Sequence, residues 1–470
     1  MRILHALHDY LPEQVAGIEV YTNRVAHDQA RQHEVGILFA RLGASASAGD
    51  VETSVEGAVS LFALAQDRRW HRFERTWLDP RVEPGIERGL DAFRPDVVHV
   101  QHLGNLGLSL PRIARRRGIP VVMTLHDHWL SCASGGQRFH ADRTRCEVLD
   151  ESRCGACVSS QIGPALRMRG ARQRARLRRA ASAVPVLDRS PSGDDRDAPS
   201  PTPTRPGRSG VAKRVWTSLV RHAGQRAIEA RWSALRAFAS EVDLFVSPSG
   251  DMRRGAIEFG LEEGRCLHVP HGLSLEGEVG RPPAERARRF GYVGSIVPHK
   301  GVHDLVRAFE TLPEDARLDL WGSLDDAPAY VAEVRAWARH PGIRFRGEAR
   351  PNEVAGHVAA LDAVIVPSVW RENAPLSILE ALALGRPVVA SRVGGHPELL
   401  GALEPLLFEP GDVPALAAVL RRLADEPGFA RSMAERVPRV PPIEEHTAAL
   451  EAIYRRVGPG SAFPRDGSPS

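Results

Sequence analysis

One alternation constrains this chain more than any other feature. Short apolar runs recur along it, each followed by a longer stretch with helical spacing. The first half offers RILHALH, VGILFA, DVVHVQH, VVMTLHD, VDLFVSPS and CLHVPHG, and the second FGYVGSI, LDLWGS, IRFRGE, AVIVPS, PVVAS and PLLFEP. Amphipathic stretches such as Val302–Thr311, Tyr330–Arg339 and Pro414–Leu423 lie between them. Strands that alternate with helices build βαβ units and parallel sheets. Many of the runs are apolar throughout, as in strands covered by helices on both faces. The fold class that follows is α/β, with two Rossmann-like, doubly wound parallel-sheet halves joined near Leu273–Ala284. A length of 470 residues is too great for one ordinary core and agrees with more than one domain.

The expected organisation is an N-terminal domain over 1–275 and a C-terminal domain over 285–440. A terminal helix at 441–457 should pack back on the first domain, ahead of a disordered tail at 458–470. Pro185–Arg208 is rich in Pro, Ser, Asp and Arg with almost nothing to bury, so a disordered insertion is expected over 183–212. A net charge of +4 excludes a polycation. Seven arginines and no acid fall between Arg167 and Arg179, which suits a solvated helix face or contact with anionic lipid. That run lacks interleaved aromatics, so nucleic acid is not an expected partner. No apolar stretch reaches membrane-spanning length, and MRILHALHDY has no signal-peptide core. The expected location is cytoplasmic, with peripheral contact at the inner face of the membrane as an option.

The most informative segment is PSVWRENAPLSILEALALGRPVVASRVGGHPE, from Pro367 to Glu398. AVIVPS reads as a strand ending at Ser368, and a helix should start near Pro375 and stop at Gly385, since proline suits a first turn and glycine an end. The amides of Asn373, Ala374 and Leu376 then converge at a positively polarised helix tip, an anion site at the carboxyl edge of a parallel sheet. Glu372 and Glu380, eight apart, could each accept hydroxyl hydrogen bonds on either side of a diphosphate. Taken alone, the pair favours a plainer reading, with Glu372 capping the helix and Glu380 on a solvated face.

The whole string resembles the signature of glycosyltransferase family 4. In order it carries Pro367-Ser368, Glu372, Glu380-Ala381, Gly385-x-Pro-Val-Val and Gly394-Gly395-x-x-Glu398. The resemblance implies a GT-B fold with two domains facing a cleft, and retaining transfer from a nucleoside-diphosphate sugar. It assigns Glu372 to the donor sugar and Glu380 to the ribose. YVGSIVPHKGVHDLVRAF resembles the segment that opens the family's C-terminal domain, which puts Lys300 on the donor diphosphate. Lys300 is one of two lysines against sixty arginines. Where the family often has a second cation, this chain has Ser295. Leu11–Val35 resembles the family's glycine loop and first helix, with Ala16-Gly17 for the usual glycine pair. The histidine of TLHDHW, His126, falls on the position that meets the donor's hydroxymethyl group. His99 and His102 are expected to line the same cleft.

Cys132, Cys146, Cys154 and Cys157 fall within 26 residues, and the last two form a Cys-x-x-Cys pair. Four thiolates would complete a structural zinc site; four unconnected thiols or an oxidisable pair are the alternatives. The family needs no catalytic metal, so catalysis is expected to rest on positioning and on diphosphate stabilisation by Lys300 and the helix-tip amides. The implied acceptor is a glycan or lipid-linked hydroxyl, in bacterial polysaccharide or glycolipid assembly. The competing reading is a non-catalytic GT-B protein that binds sugar nucleotide or serves as a scaffold.

Overall fold

The computed structural model describes residues 1–43, 47–66, 73–140, 142–159, 210–275 and 282–458. Most of the expected insertion, the arginine run and nearly all of the expected tail lie outside the described residues; the last three positions of the insertion, 210–212, instead open the helix Gly210–Phe238. No helix among the described residues is long and apolar enough to cross a membrane.

Two open sheets organise the chain. The first has eight strands in the order β3-β4-β2-β1-β5-β6-β7-β8. They are β1 (Arg2–Leu7), β2 (Glu34–Leu42), β3 (Val51–Glu56), β4 (Val59–Gln66), β5 (Val97–Val100), β6 (Val121–Thr124), β7 (Leu244–Ser247) and β8 (Cys266–His268). All pairings are parallel except β3 with β4, a hairpin turned by Gly57 at φ 60°. The apolar-run reading passed over this hairpin. VETSVE exposes most of its side chains on the sheet edge and carries no continuous apolar signal.

The second sheet is six-stranded and parallel, in the order β11-β10-β9-β12-β13-β14. Its strands are β9 (Arg289–Val293), β10 (Arg317–Trp321), β11 (Ile343–Gly347), β12 (Ala363–Val366), β13 (Val388–Ser391) and β14 (Leu407–Phe408). β12 and β13 are buried along their whole length, as strands sheathed by helices must be. One core, from Ala287 to Met433, fills this half.

The helix Ile443–Val457 crosses back to the first half. Ile443, Leu450 and Tyr454 share a core with Ile3, Tyr21 and Val122, and Leu376 packs against the same cluster. Polar groups fix its register: Tyr454 Oη lies 2.6 Å from His99 Nδ1, and His446 Nε2 lies 2.6 Å from Tyr21 Oη. Buried polar groups without partners would cost the helix this seat.

Candidate functional site

At the carboxyl end of β12 the chain leaves the sheet at Pro367-Ser368 and enters the helix Leu376–Ala383, with Pro375 at its N-cap. Proline fixes φ there and leaves no N–H to satisfy. Gly385, two residues past the helix, takes φ 67°, a conformation glycine adopts without strain.

Glu372 sits in the loop before this helix, 5% exposed. Its Oε1 accepts from Lys300 Nζ at 2.7 Å and from Ser368 Oγ at 2.7 Å. Burial alone would raise this carboxyl. The Lys300 ammonium outweighs burial, aided by His396 and Ser368, and holds it at about 2. Lys300 arrives from the turn Pro298–Lys300 after β9 and also lies 5.0 Å from the Trp370 ring centre.

Glycines make this approach possible. Gly301 follows Lys300 at φ 70°, and a Cβ on it would stand 1.9 Å from the Pro367 carbonyl oxygen. Gly394, at φ 52°, would drive a Cβ to 1.8 Å from the Glu372 carbonyl oxygen, and Gly395 to 2.1 Å from that of Asn373. The Gly-Gly pair is therefore a backbone seat for the glutamate loop. His396 completes the seat, its ring Nδ1 lying 2.8 Å from Ser391 O.

Glu380 lies one turn into the helix, 7% exposed. Arg24, on the first helix Gly17–Gln29 of the opposite lobe, reaches it at 3.0 Å. Burial raises the Glu380 carboxyl and Arg24 opposes the rise. Sequence reasoning did not single out Arg24, since one arginine among sixty carries no local signal.

Asn373 does more than present an amide. Its Nδ2 donates to Leu125 O at 2.8 Å and His126 O at 3.1 Å, while its Oδ1 accepts from Ser249 Oγ at 2.6 Å. The side chain thus ties the helix tip to the first lobe. Arg371 and Asp251 add a two-point ion pair at 2.7 and 2.9 Å, and Gly250 N donates to Glu398 at 2.6 Å. Ala374 and Leu376 are partly exposed at the same tip. Ser295 is exposed, and its carbonyl accepts from Tyr292 Oη at 2.7 Å.

On the first lobe, His126 follows β6. Its Nε2 lies 2.8 Å from Gln101 Oε1 and its ring stacks on His271 at 5.5 Å. Burial lowers its pKa to about 3, so the ring is neutral. Gly17 opens the first helix, and a Cβ on it would meet nothing within 4 Å. The close approach expected there is made to none of the described residues. His102 sits 3.6 Å from Asp127. His99 is fully buried between Tyr454 and Thr124, so it braces the terminal helix and does not line the cleft. Glu19, also unassigned from sequence, is 1% exposed with both carboxylate oxygens lacking a hydrogen bond, and burial raises its pKa to about 7.

The four cysteines come together. With His140 they line a cavity of about 20 Å³ beside residues 151–159. As placed, no three His, Cys, Asp or Glu side chains among the described residues stand close enough to hold a metal ion.

Two family models match this chain, Glycosyltransferase Family 4 over residues 15–181 and Glycosyl transferases group 1 over residues 287–426. Glycosyltransferase domain models thus match both halves of the chain. Among curated relatives, the D-inositol 3-phosphate glycosyltransferase of Xylanimonas cellulosilytica is 36% identical over 190 residues, 36% of this chain and 45% of that one. The 2-deoxystreptamine glucosyltransferase of Streptomyces kanamyceticus is 33% identical over 150 residues, 31% of this chain and 38% of that one. Each match thus spans under half of the relative's length. Sucrose-phosphate synthase of Thermosynechococcus elongatus superposes with a TM-score of 0.62 at 17% identity, covering 97% of this chain and 98% of that one. Anabaena HepE, in complex with UDP and glucose, superposes at 0.56 and 15% identity over 97% and 99%. The chain therefore has the GT-B fold.

Proposed function

We propose that this chain is a retaining glycosyltransferase of family 4. It moves a sugar from a nucleoside-diphosphate sugar to an acceptor hydroxyl on a glycan or lipid-linked acceptor. The single observation that carries the reading is the Lys300–Glu372 contact at the tip of the helix Leu376–Ala383, with Glu380 on the same helix facing Arg24 across the lobes.

On this reading the diphosphate sits at the tip, against Lys300 and the amides of Asn373, Ala374 and Leu376. Glu372 exchanges part of its contact with Lys300 for a donor-sugar hydroxyl, and Glu380 accepts from the ribose. Arg24 supplies, from the opposite lobe, a second cation where Ser295 offers none. Gly17 leaves open space for substrate, and neutral His126 can donate or accept a hydrogen bond at the sugar's hydroxymethyl group. Charge builds on the departing diphosphate as the glycosidic bond breaks. A preplaced ammonium and helix-tip amides stabilise it without reorganising. The leaving phosphate is the base nearest the incoming hydroxyl, and retention follows from attack on the face it vacates. No metal is assigned to this step. The setting is bacterial polysaccharide or glycolipid assembly, with peripheral membrane contact through the arginines at 167–179.

The test is a panel of UDP-, GDP- and ADP-sugars screened for binding by calorimetry, then for transfer with each binder. One donor should bind and turn over, and Glu372→Ala should abolish turnover while keeping the fold. Tight binding of a donor with neither transfer nor slow hydrolysis would establish the scaffold reading instead.

A further inference from the structure

A second constellation lies outside the donor site. Between β6 and residue 159 the chain makes two tight turns, with Gly135 and Gly136 at φ 67° and 73° and Arg138 at φ 48°. A bridge between Phe139 and Arg145 closes a short hairpin, and Cys146 N donates to Arg138 O at 2.9 Å. This hairpin brings Cys132 and Cys146 alongside Cys154 and Cys157, which are three apart in the helical residues 151–159 and so share a face. All four line the same small cavity.

Two observations distinguish this cluster from four chance thiols. Polar groups already stand at the sulfurs: the Arg138 N–H donates to Cys132 Sγ at 3.4 Å, and His140 Nδ1 lies 3.1 Å from Cys157 Sγ. Outer-shell donors of this kind hold thiolate ligands in place. Buried positive charge is also left over. Arg231 is 2% exposed and Arg138 4% exposed. Arg231 donates to the carbonyls of Leu130 and Trp129, and Arg138 to those of Cys146 and Glu147. Neither has a carboxylate ion pair among the described residues. A buried guanidinium without an anion is costly. The Asp127 carboxylate acts on Arg231 without pairing with it; four thiolates around a divalent cation, with a net charge of −2, would place an anion beside both arginines.

We propose that Cys132, Cys146, Cys154 and Cys157 bind one zinc ion as a tetrathiolate, with His140 and the Arg138 amide as outer-shell donors. Binding releases the thiol protons to solvent. Zinc–sulfur bonds are about 2.3 Å long. Rotating a cysteine between staggered χ1 wells swings its sulfur by about 3 Å. Side-chain rotation is thus on the scale needed to draw four thiols lining so small a cavity onto one centre.

The ion would brace a wall of the cleft. Phe139, inside the hairpin, lies 6.1 Å from the His299 ring, next to Lys300. Arg143, at the hairpin tip, pairs with Glu333 of the second lobe at 2.7 Å and covers the Tyr330 ring at 5.5 Å. Gly136 packs so closely on Asp127 that a Cβ would stand 2.8 Å from its carboxyl carbon. Four metal bonds therefore fix a segment that touches both lobes.

The test reads metal, so it stands apart from the transfer reaction. Full-length chain produced with zinc in the medium should carry one equivalent by elemental mass spectrometry. Cys154→Ser and Cys157→Ser should lose most of it, and His140→Ala should keep it. Should the serine variants fail to fold, cobalt exchanged into the wild-type chain decides, by the sulfur-to-cobalt charge-transfer band of a tetrathiolate. A folded wild-type chain that binds neither zinc nor cobalt overturns the proposal. So does a Cys154→Ser chain that keeps a full equivalent, or a disulfide among the four found by alkylation without reductant.

Discussion

Arg24 and Glu380 meet at 3.0 Å across the two lobes, one on the first helix of the chain and the other on the helix whose tip the proposed function assigns to the donor diphosphate. The pair places a cation from the first lobe against a carboxylate that the same reading assigns to the ribose. Removing Arg24 leaves burial unopposed at Glu380, so its pKa climbs further above the ordinary value. Arg24→Ala should therefore move the acid limb of the kcat/KM profile for donor to higher pH. A profile that keeps its acid limb in place would remove Glu380 from donor binding.

Lys300→Ala should lower kcat/KM for donor by at least about 100-fold, the scale of losing a preplaced charge at a developing anion. Lys300→Arg should recover only part of it, because a planar guanidinium does not replace a compact ammonium. Steady-state kinetics on folded variants checks both.

The same pair makes a stability prediction with a defined sign. Glu372 is held at about 2 against an ordinary 4.5. Its contribution is present above about 4.5 and is lost as pH falls toward 2. In Lys300→Ala the buried carboxyl loses the ammonium that lowers it, and this acid-side loss disappears. Urea unfolding of both chains at pH 7 and pH 4 checks the difference. Equal acid sensitivity would show that the ammonium does not set the carboxyl's pKa.

Buried histidines should dominate acid sensitivity at milder pH. Burial lowers His5 and His446 to about 4 and His8 and His126 to about 3, with His99 and His271 also well below 6.5. Each is neutral when folded and gains a proton on unfolding below pH 6.5, so stability falls as pH drops through that point. The slope is about 1.4 kcal/mol per pH unit for each imidazole. Glu19, raised to about 7, acts in the opposite sense between 4.5 and 7, but one carboxyl does not reverse six imidazoles. A denaturant series between pH 7.5 and 5 should show a steep decline, and a flat one would contradict it.

Gly394→Ala and Gly17→Ala should differ sharply. The first must push the Glu372 backbone aside, and the second enters open space. Gly394→Ala should cost about 2 kcal/mol or more, from strain at a left-handed position and a backbone clash. It should also weaken donor binding. Gly17→Ala should leave thermal stability within about 0.5 kcal/mol. Melting temperature with and without nucleotide separates the two.

Local pattern alone carried the two parallel sheets, the helix from Leu376 to Ala383 and the family motif around Glu372. Apolar continuity marks sheathed strands, and proline and glycine punctuate the helix, so each signal lies within a few residues of what it specifies. The strand β3 escaped that pattern because an edge strand need not be apolar, whereas β4 carries an apolar run, VSLFALA, that the reading passed over. Contacts between distant segments were a different matter. Arg24 reaching Glu380 and Asn373 holding the carbonyls of Leu125 and His126 join residues separated by about 250 to 356 positions. So does the burial of His99 under Tyr454, which removed it from the cleft. Such pairings depend on how two lobes and a returning helix come to rest, and no spacing along the chain encodes them. The sequence determined which chemistry the donor loop can carry; the tertiary structure decided which charges face it and which cysteines share a cavity.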